Sequence, residues 1–194
     1  MNHSFTESAG GILLRPLCKR DIENLRRWRN DEKNNQYLRT LGEVTPKMQE
    51  KWFENYIVTP KQLIFAIEMV KSETLIGSLS LNNINSETGT AVFGSVMIGE
   101  SSARGKGYGK LGTLLCSKIA FLDMQLARLV ATVHTQNIPA ICAYTHVGYE
   151  IKGVKPFSES GNEEEFIIEL TRGRFELLHP ELVDHAEGKH EDRS

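Results

Sequence analysis

The sequence predicts an α/β domain of the α+β kind, in which helices cover both faces of a mixed, mostly antiparallel central sheet of about seven strands. Two strand-like runs, 63–70 and 74–81, are joined by a short turn, which predicts an antiparallel meander. Further along, the runs 91–98 and 129–133 flank a long helical pattern, which predicts a parallel β–α–β unit. The run 91–98 is apolar on both alternating faces, as expected of a strand that is covered on both sides.

The first part of the chain predicts one strand and two helices before the meander. The run 12–17 is strand-like and contains a proline that ends it, and the run 21–29 starts at an aspartate cap and carries apolar residues at helical spacing. Thr45 and Pro46 open the second helix as its cap and its first residue. Apolar residues then recur at helical spacing up to Ile57.

The second part of the chain adds two helices and two last strands. Leucine and isoleucine form one helical stripe over 111–126. Asn137 starts another helix, and Gly148 closes it. Two strands are then predicted at 149–154 and 165–170.

The length of 194 residues suits one domain with a sizeable core. We expect this domain to span residues 11–171. A flexible N-terminus is expected at 1–10, and a partly disordered C-terminal extension at 172–194, because both segments are largely polar.

Composition argues against several classes of function. A net charge of −2 argues against a nucleic-acid partner, and no apolar stretch approaches the ~20 residues of a membrane span. Residues 1–10 lack the basic head and apolar run of a signal peptide. Cys18, Cys116 and Cys142 form neither a zinc pattern nor a redox pair. We therefore expect a cytoplasmic protein with no metal and no membrane partner.

A glycine-rich loop lies between the strand at 91–98 and the helical pattern that follows. Alternate glycines remove three β-carbons, so backbone N–H groups can approach an anion closely, and the next helix turns its positive end toward the same point. Three basic side chains add formal charge, and a pyrophosphate is the guest that these features favour. A tight structural turn is the other interpretation. The loop consists of Arg104, Gly105, Lys106, Gly107, Tyr108, Gly109 and Lys110.

Two common phosphate-binding patterns do not fit this loop. A Walker loop requires Gly-x-x-x-x-Gly-Lys-Ser/Thr, which is absent. The dinucleotide fingerprint Gly-x-Gly-x-x-Gly is also absent, and it would normally belong to the first β–α unit rather than to the second half of a chain.

The spacing Arg-x-x-Gly-x-Gly resembles the acetyl-CoA loop of the GNAT superfamily of N-acyltransferases. Downstream, the run 137–149 reads Asn-x-x-Ala-x-x-x-Tyr-x-x-x-Gly-Tyr, which resembles the second motif of that family at the usual distance from the first. The run 93–100 before the loop, Phe-Gly-x-x-x-Ile-Gly-Glu, also fits. The resemblance covers roughly residues 12–170 and implies a single GNAT-like domain that uses acetyl-CoA as its cosubstrate.

The resemblance also implies which residues bind acetyl-CoA. Backbone amides of Arg104 to Lys110 would hold the pyrophosphate. Met97 and Ile98 would meet the pantetheine arm by strand-like hydrogen bonds, and a backbone N–H there would polarise the thioester carbonyl. The residues that would line the far side of the arm or lie near the sulfur are Asn137, Ala140 and Tyr144.

Attack of a neutral amine on a thioester needs a base, an oxyanion donor and an acid for the departing thiolate. The resemblance implies that Tyr144 is the general acid, although an aromatic residue on a helix can equally belong to the core. Glu100, which follows the central strand, is the candidate base, and a solvated loop carboxylate is the other interpretation of this residue. His134, at the end of the next strand, and a chain of water molecules are the alternatives.

Two segments bear on the acceptor. Residues 28–31 (Trp-Arg-Asn-Asp) and 51–53 (Lys-Trp-Phe) resemble the substrate-side helices of the subgroup that contains ribosomal-protein N-terminal, polyamine and nucleotide-amino-sugar acetyltransferases. The expected function is transfer of acetyl from acetyl-CoA to a primary amine of a small molecule of the polyamine, amino sugar or amino acid type, by direct attack in a ternary complex. A protein N-terminus as acceptor and a non-catalytic acyl-CoA-binding module are the alternatives. Exposed last strands would allow a homodimer.

Two further features each have two interpretations. The cluster of Arg26, Arg27 and Arg29 is either a solvated helix face or a binding surface for an anionic acceptor. Cys142 precedes Tyr144 by two residues, but no His–Asp pattern surrounds it, so a buried helix thiol is expected rather than a nucleophile.

Overall fold

The computed structural model describes residues 2–37, 42–157 and 163–183, and an eight-stranded sheet lies at its centre. The strands are β1 (Glu7–Ala9), β2 (Ile12–Pro16), β3 (Leu63–Met69), β4 (Thr74–Asn85), β5 (Thr90–Ile98), β6 (Arg128–His134), β7 (Glu150–Pro156) and β8 (Glu164–Thr171). Their order is β1-β2-β3-β4-β5-β6-β8-β7. Every neighbouring pair is antiparallel except β5 and β6, which are parallel. The mixed, mostly antiparallel sheet is therefore confirmed.

Helices cover both faces of this sheet, as the sequence predicts. They are α1 (Ile22–Arg29), α2 (Glu32–Asn35), α3 (Pro46–Ile57), α4 (Tyr108–Lys118), α5 (Ile138–Val147) and α6 (Arg172–Leu178). Apolar residues of α1 and α3 form a smaller core on one face. The larger core, on the other face, contains residues of α4, α5 and α6 together with a π-helical turn at Ile119–Asp123 that continues α4.

The alternation of side chains along β3 shows how one strand serves both cores. Ile64 and Ala66 belong to the smaller core, whereas Phe65 and Ile67 belong to the larger one. Successive residues of a strand point to opposite faces, so a strand covered on both sides must be apolar throughout.

The eighth strand is β1, which the sequence analysis places in a flexible segment. Glu7 pairs with Leu14 and Ala9 pairs with Ile12, and the two strands are joined by Gly10 and Gly11 at φ values of 55° and 83°. Two central residues with positive φ make the kind of turn that suits a two-residue hairpin, and Gly-Gly is a known signal for it. The strand itself is short and partly polar, which is why its pattern gives no strand prediction.

The two ends of the chain also contact the domain. Asn2 donates from Nδ2 to the Gln62 carbonyl at 2.7 Å and accepts from the Tyr56 hydroxyl at 2.7 Å. Phe175 of α6 is fully buried in the larger core, so residues beyond the expected boundary at 171 contribute to the domain. Residues 184–194 of the expected extension lie outside the described residues.

The parallel strands β5 and β6 pair with each other over only a short length. The paired positions are Thr90 with Arg128, Ala91 with Leu129, and Val92 with Val130. Beyond them, β5 continues to Ile98 and β6 continues to His134, but the two strands no longer pair with each other. Each strand stays paired on its other side. Strand β6 pairs with β8 along its whole length, and β5 pairs with β4. The two strands therefore diverge and leave a gap between them.

A β-bulge lies in the diverging half of β5. Its register with β4 shifts between Ser80↔Gly94 and Ser78↔Met97, so β5 has one extra residue there, and Ser95 adopts a φ of 52°. A bulge increases local twist and bends the strand, and this one lies in the half of β5 that does not pair with β6.

The end of β5 is held tightly against α1. A β-carbon added at Gly99 would lie 1.9 Å from Cδ2 of Trp28, whose indole is buried. A bulky ring in a packed core cannot move aside without displacing its neighbours. Gly99 is therefore required for α1 to approach the end of β5.

We predict that Gly99→Ala lowers the free energy of unfolding by about 1–3 kcal/mol, because it overpacks the contact with Trp28. Gly94→Ala is the matched control in the same strand, since a β-carbon there meets no heavy atom within 4 Å. Urea unfolding of the two variants checks this expectation. Equal destabilisation by both substitutions would contradict it.

Candidate active site

The glycine loop has the backbone geometry of an anion site. Gly105 and Gly107 adopt φ values of 73° and 81°, in the left-handed region, and a β-carbon at either position would meet no heavy atom within 4 Å. Gly107 is the N-cap of α4, and the first bond within this helix is donated by Leu111 N to Gly107 O. The backbone N–H groups of residues 108–110 therefore have no acceptor within the helix and are available to an anion.

The gap between β5 and β6 opens beside this loop. Because the ladder stops at Val92 and Val130, the backbone groups of the diverging halves have no partner across the gap. Met97 and Ile98, which the sequence analysis assigns to the pantetheine arm, lie on the β5 side of the gap and are half-buried. Buried backbone groups need partners, and a ligand that carries amides can supply them.

Tyr144 lies in an aromatic cluster on the larger-core face. Its ring meets Phe93 of β5 edge-on at 5.9 Å between centroids and lies 5.6 Å from Tyr149. The side chain is buried, and its hydroxyl makes no hydrogen bond within the residues that the structure describes. Burial raises the pKa of Tyr144 to about 12, so the phenol keeps its proton at neutral pH.

Asn137 and Ala140 lie at the N-terminus of α5. The Asn137 side chain caps this helix by accepting a hydrogen bond from Ala140 N at 3.3 Å, and Ala140 packs against the larger core. The predicted helix start is confirmed. The same helix carries Tyr144, so α5 fixes the three residues relative to one another.

Glu100 lies on the loop side of β5. Its carboxylate accepts from the Ser102 hydroxyl at 3.3 Å and caps the 3₁₀ turn Ser101–Ala103. It lines a cavity of about 190 Å³ together with Lys106 and Tyr108. No hydrogen bond or ion pair among the described residues joins Glu100 to Tyr144.

His134 ends β6 and is buried, with both ring nitrogens engaged. Its Nδ1 accepts a hydrogen bond from the backbone N–H of Gln136 at 3.2 Å, so the proton of the neutral ring lies on Nε2. That nitrogen is 3.5 Å from Oε2 of Glu163. The rings of Tyr37 and Phe157 lie 5.4 Å and 4.9 Å from the imidazole.

Sequence analysis missed Tyr37, Phe157 and Glu163. Tyr37 precedes α3, whereas Phe157 and Glu163 lie at the two ends of the connection between β7 and β8, and no local spacing links the three residues to His134. The one available signal was the position of His134 at the end of a strand next to the central strand.

The basic residues of the loop have different environments. Lys106 and Lys110 are exposed, and Lys110 Nζ lies 3.4 Å from His146 Nε2. Arg104, in contrast, turns its guanidinium away from the loop toward the carbonyls of Ile98 and Gly99, at 3.1 Å and 3.0 Å.

The other cationic cluster is divided among different contacts. Arg26 forms an ion pair with Glu23 at 2.7 Å on the helix surface. Arg29 lies over the ring of Trp52, 4.5 Å from its centroid, and burial lowers the pKa of Arg29. Arg26 and Arg29 therefore have different neighbours, and Arg27 is exposed.

Cys142 is exposed, which corrects the expectation of a buried thiol. The physical reason is helical spacing: Tyr144 and Val147 take the buried positions of α5, and a residue two places before Tyr144 points elsewhere. Cys116 is the buried cysteine, and burial raises the pKa of its thiol.

Residues 2–37, 42–157 and 163–183 contain no group of three His, Cys, Asp or Glu side chains that could hold a metal ion. Within the same residues, no helix has the length and apolar character needed to cross a bilayer.

Solved structures with this fold include several acetyltransferases. The spermidine N-acetyltransferase of Vibrio cholerae, determined in complex with CoA and spermine, superposes with a TM-score of 0.77 at 18% identity, covering 86% of this chain and 99% of that one. A GCN5-related N-acetyltransferase from Brucella melitensis gives 0.76 at 16% identity, over 95% and 86% of the two chains. An acetyltransferase of the GNAT family from Bacillus anthracis gives 0.75 at 20% identity, over 87% and 99%.

Sequence comparison with curated proteins gave no match. The family profile described as an acetyltransferase (GNAT) domain, however, matches residues 12–150, which is most of the chain and contains the glycine loop, the diverging strands and Tyr144. The chain therefore belongs to the GNAT family of acetyltransferases.

Proposed function

We propose that this N-acetyltransferase transfers the acetyl group of acetyl-CoA to a primary amine of a small molecule. The observation that carries the proposal is that α4 begins, at Gly107, beside the gap between β5 and β6. The free backbone N–H groups of this helix start can bind an anion, and the ring of Tyr144 packs against Phe93 of β5 next to the gap. A pyrophosphate fits the first feature and an extended amide-containing arm fits the second.

The glycine loop fits the cosubstrate through its main chain. The backbone amides of residues 104–110 would hold the pyrophosphate, since both positive-φ glycines leave open space where a side chain would lie. Met97 and Ile98 would bind the pantetheine amides, and Asn137 and Ala140 would line the arm from α5. The bound cosubstrate supplies an activated acyl group as a thioester.

Tyr144 and Glu100 would handle the protons. Tyr144, kept protonated by its burial, would donate a proton to the departing sulfur. Glu100 would accept the proton of the attacking amine. The amine would attack the thioester directly in a ternary complex, so that positioning of the two substrates provides much of the acceleration.

A polyamine is the acceptor that the residues around His134 favour. A carboxylate and the faces of aromatic rings both attract ammonium groups, and Glu163, Tyr37 and Phe157 bring these together beside the end of β6. The structural similarity to a spermidine N-acetyltransferase agrees with this chemistry.

Thiol release from acetyl-CoA tests the function directly. The amines to be compared are spermidine, an amino sugar, an amino acid and a peptide with a free N-terminus. Release that depends on one of the small amines supports the proposal. Release with the peptide alone would assign a protein N-terminal acetyltransferase, and binding of acetyl-CoA without release would assign a binding module.

We predict that Gly107→Ala weakens acetyl-CoA binding by about 5- to 30-fold, because alanine disfavours the positive φ of the binding conformation by about 1–2 kcal/mol. Gly109→Ala is the matched control, since Gly109 does not have a positive φ and its added β-carbon would make an ordinary contact of 3.7 Å with Ile98. Titration calorimetry with acetyl-CoA measures both variants. Equal losses of affinity would rule out a special requirement at position 107.

We predict that Tyr144→Phe lowers kcat by about 10²- to 10⁴-fold, because the departing thiolate loses its acid, while acetyl-CoA affinity stays within about threefold. Since the pKa of Tyr144 is about 12, its deprotonation should cause no fall in wild-type kcat below about pH 10. Tyr149→Phe is the control, because the Tyr149 side chain is buried in the same aromatic cluster. Unchanged turnover in Tyr144→Phe would remove the proposed role.

We predict that Glu100→Gln lowers kcat/KM by about 10²-fold or more, because the amide cannot accept the amine proton. His134→Gln should have a much smaller effect, since neither nitrogen of His134 offers a lone pair to an amine. Steady-state rates with the preferred amine compare the two variants. A loss of this size only in His134→Gln would transfer the role of the base to His134.

A further inference from the structure

We propose that Arg104 is a positioning residue that fastens the glycine loop to α2 across the end of β5, so that acetyl-CoA binding and the helices on the opposite face of the sheet are energetically coupled. The proposal rests on the proposed acetyl transfer and adds to it a physical link between the two substrate sides.

The contacts of Arg104 all lead away from the pyrophosphate side of the loop. Nε donates to the carbonyl of Ile98 at 3.1 Å, and Nη2 donates to the carbonyl of Gly99 at 3.0 Å. Nη2 also donates to Oδ1 of Asn34 at 2.6 Å and lies 3.5 Å from Oδ2 of Asp31. One planar guanidinium thus joins the loop, the end of β5 and α2.

Asn34 carries the connection further, into α1. Its Nδ2 donates to the backbone carbonyl of Trp28 at 3.0 Å and contacts Oδ2 of Asp31 at 3.3 Å. The Trp28 indole, in turn, packs directly on Gly99 at the end of β5. The end of β5 is therefore held from one side by Arg104 and from the other by Trp28.

This arrangement distinguishes Arg104 from a phosphate ligand. The guanidinium is a rigid fork, and Nε and Nη2 are already used by two carbonyls, an amide oxygen and a nearby carboxylate. A contact to pyrophosphate through Nε or Nη2 would require Arg104 to leave these partners, whereas the backbone amides of the loop need no such change.

The link reaches the face from which an acceptor can approach. Helices α4 and α5, with Tyr144, cover the larger-core face of the gap, so an amine must come from the face that carries α1 and α3. Trp28 and His134 border that face. A ligand that immobilises the glycine loop would therefore also reduce the motion of the helices on the acceptor side of the sheet. Equilibrium coupling of this kind is reciprocal, so a bound acceptor would change the affinity for acetyl-CoA by the same factor.

Hydrogen exchange of the full chain, with and without acetyl-CoA, tests the link without knowledge of the acceptor. In the parent protein, acetyl-CoA should slow amide exchange at residues 105–110 and, by about fivefold or more, at residues 22–35, which need not touch the ligand. In Arg104→Lys and in Asn34→Ala, the slowing at 22–35 should fall below about twofold while that at 105–110 remains.

Lys33→Ala is the matched control, because Lys33 is exposed on the same short helix and should leave both effects unchanged. Slowing at 22–35 that survives in Asn34→Ala would overturn the link. Loss of slowing at 105–110 in Arg104→Lys alone would also overturn it and would assign Arg104 to the phosphates. The absence of any slowing at 105–110 in the parent protein would instead overturn the proposed function, on which the link rests.

Discussion

The divergence of β5 from β6 beyond Val92 and Val130 is the constraint on which the rest of the site depends. Two parallel strands normally satisfy each other's backbone groups, and here they stop doing so within one sheet. The gap persists because each strand is anchored on its far side, β6 to β8 along its length and β5 to β4 through the bulge at Ser95. Closing the gap would break those ladders.

Different helices border the gap on the two faces of the sheet. On one face, α4 brings the unpaired amides of its first turn, and α5 brings a phenol that burial keeps protonated. On the other face, α1, α2 and α3 bring Trp28, Trp52 and the polar groups around Asn34. Arg104, in the loop before α4, donates a hydrogen bond to Asn34 of α2.

The sequence was most informative where the physics is local. The strand–glycine loop–helix order, the Thr45 cap and the Asn137 cap each depend on a few consecutive residues, and the structure confirms these elements. Contacts between distant segments left no such pattern: the bond from Arg104 to Asn34 spans 70 positions, and the rings around His134 come from separate connections. Strand β1 was missed because its strand pattern is short and partly polar, even though the Gly-Gly turn signals a hairpin.

A crystal structure of the protein with acetyl-CoA tests the central claim most directly. The account predicts pyrophosphate oxygens about 3 Å from the backbone nitrogens of residues 107–110, with the pantetheine amides bonded to β5 in the gap and the thioester near Tyr144. A cosubstrate bound away from the loop, or a continuous β5–β6 ladder with the thioester outside it, would contradict the account.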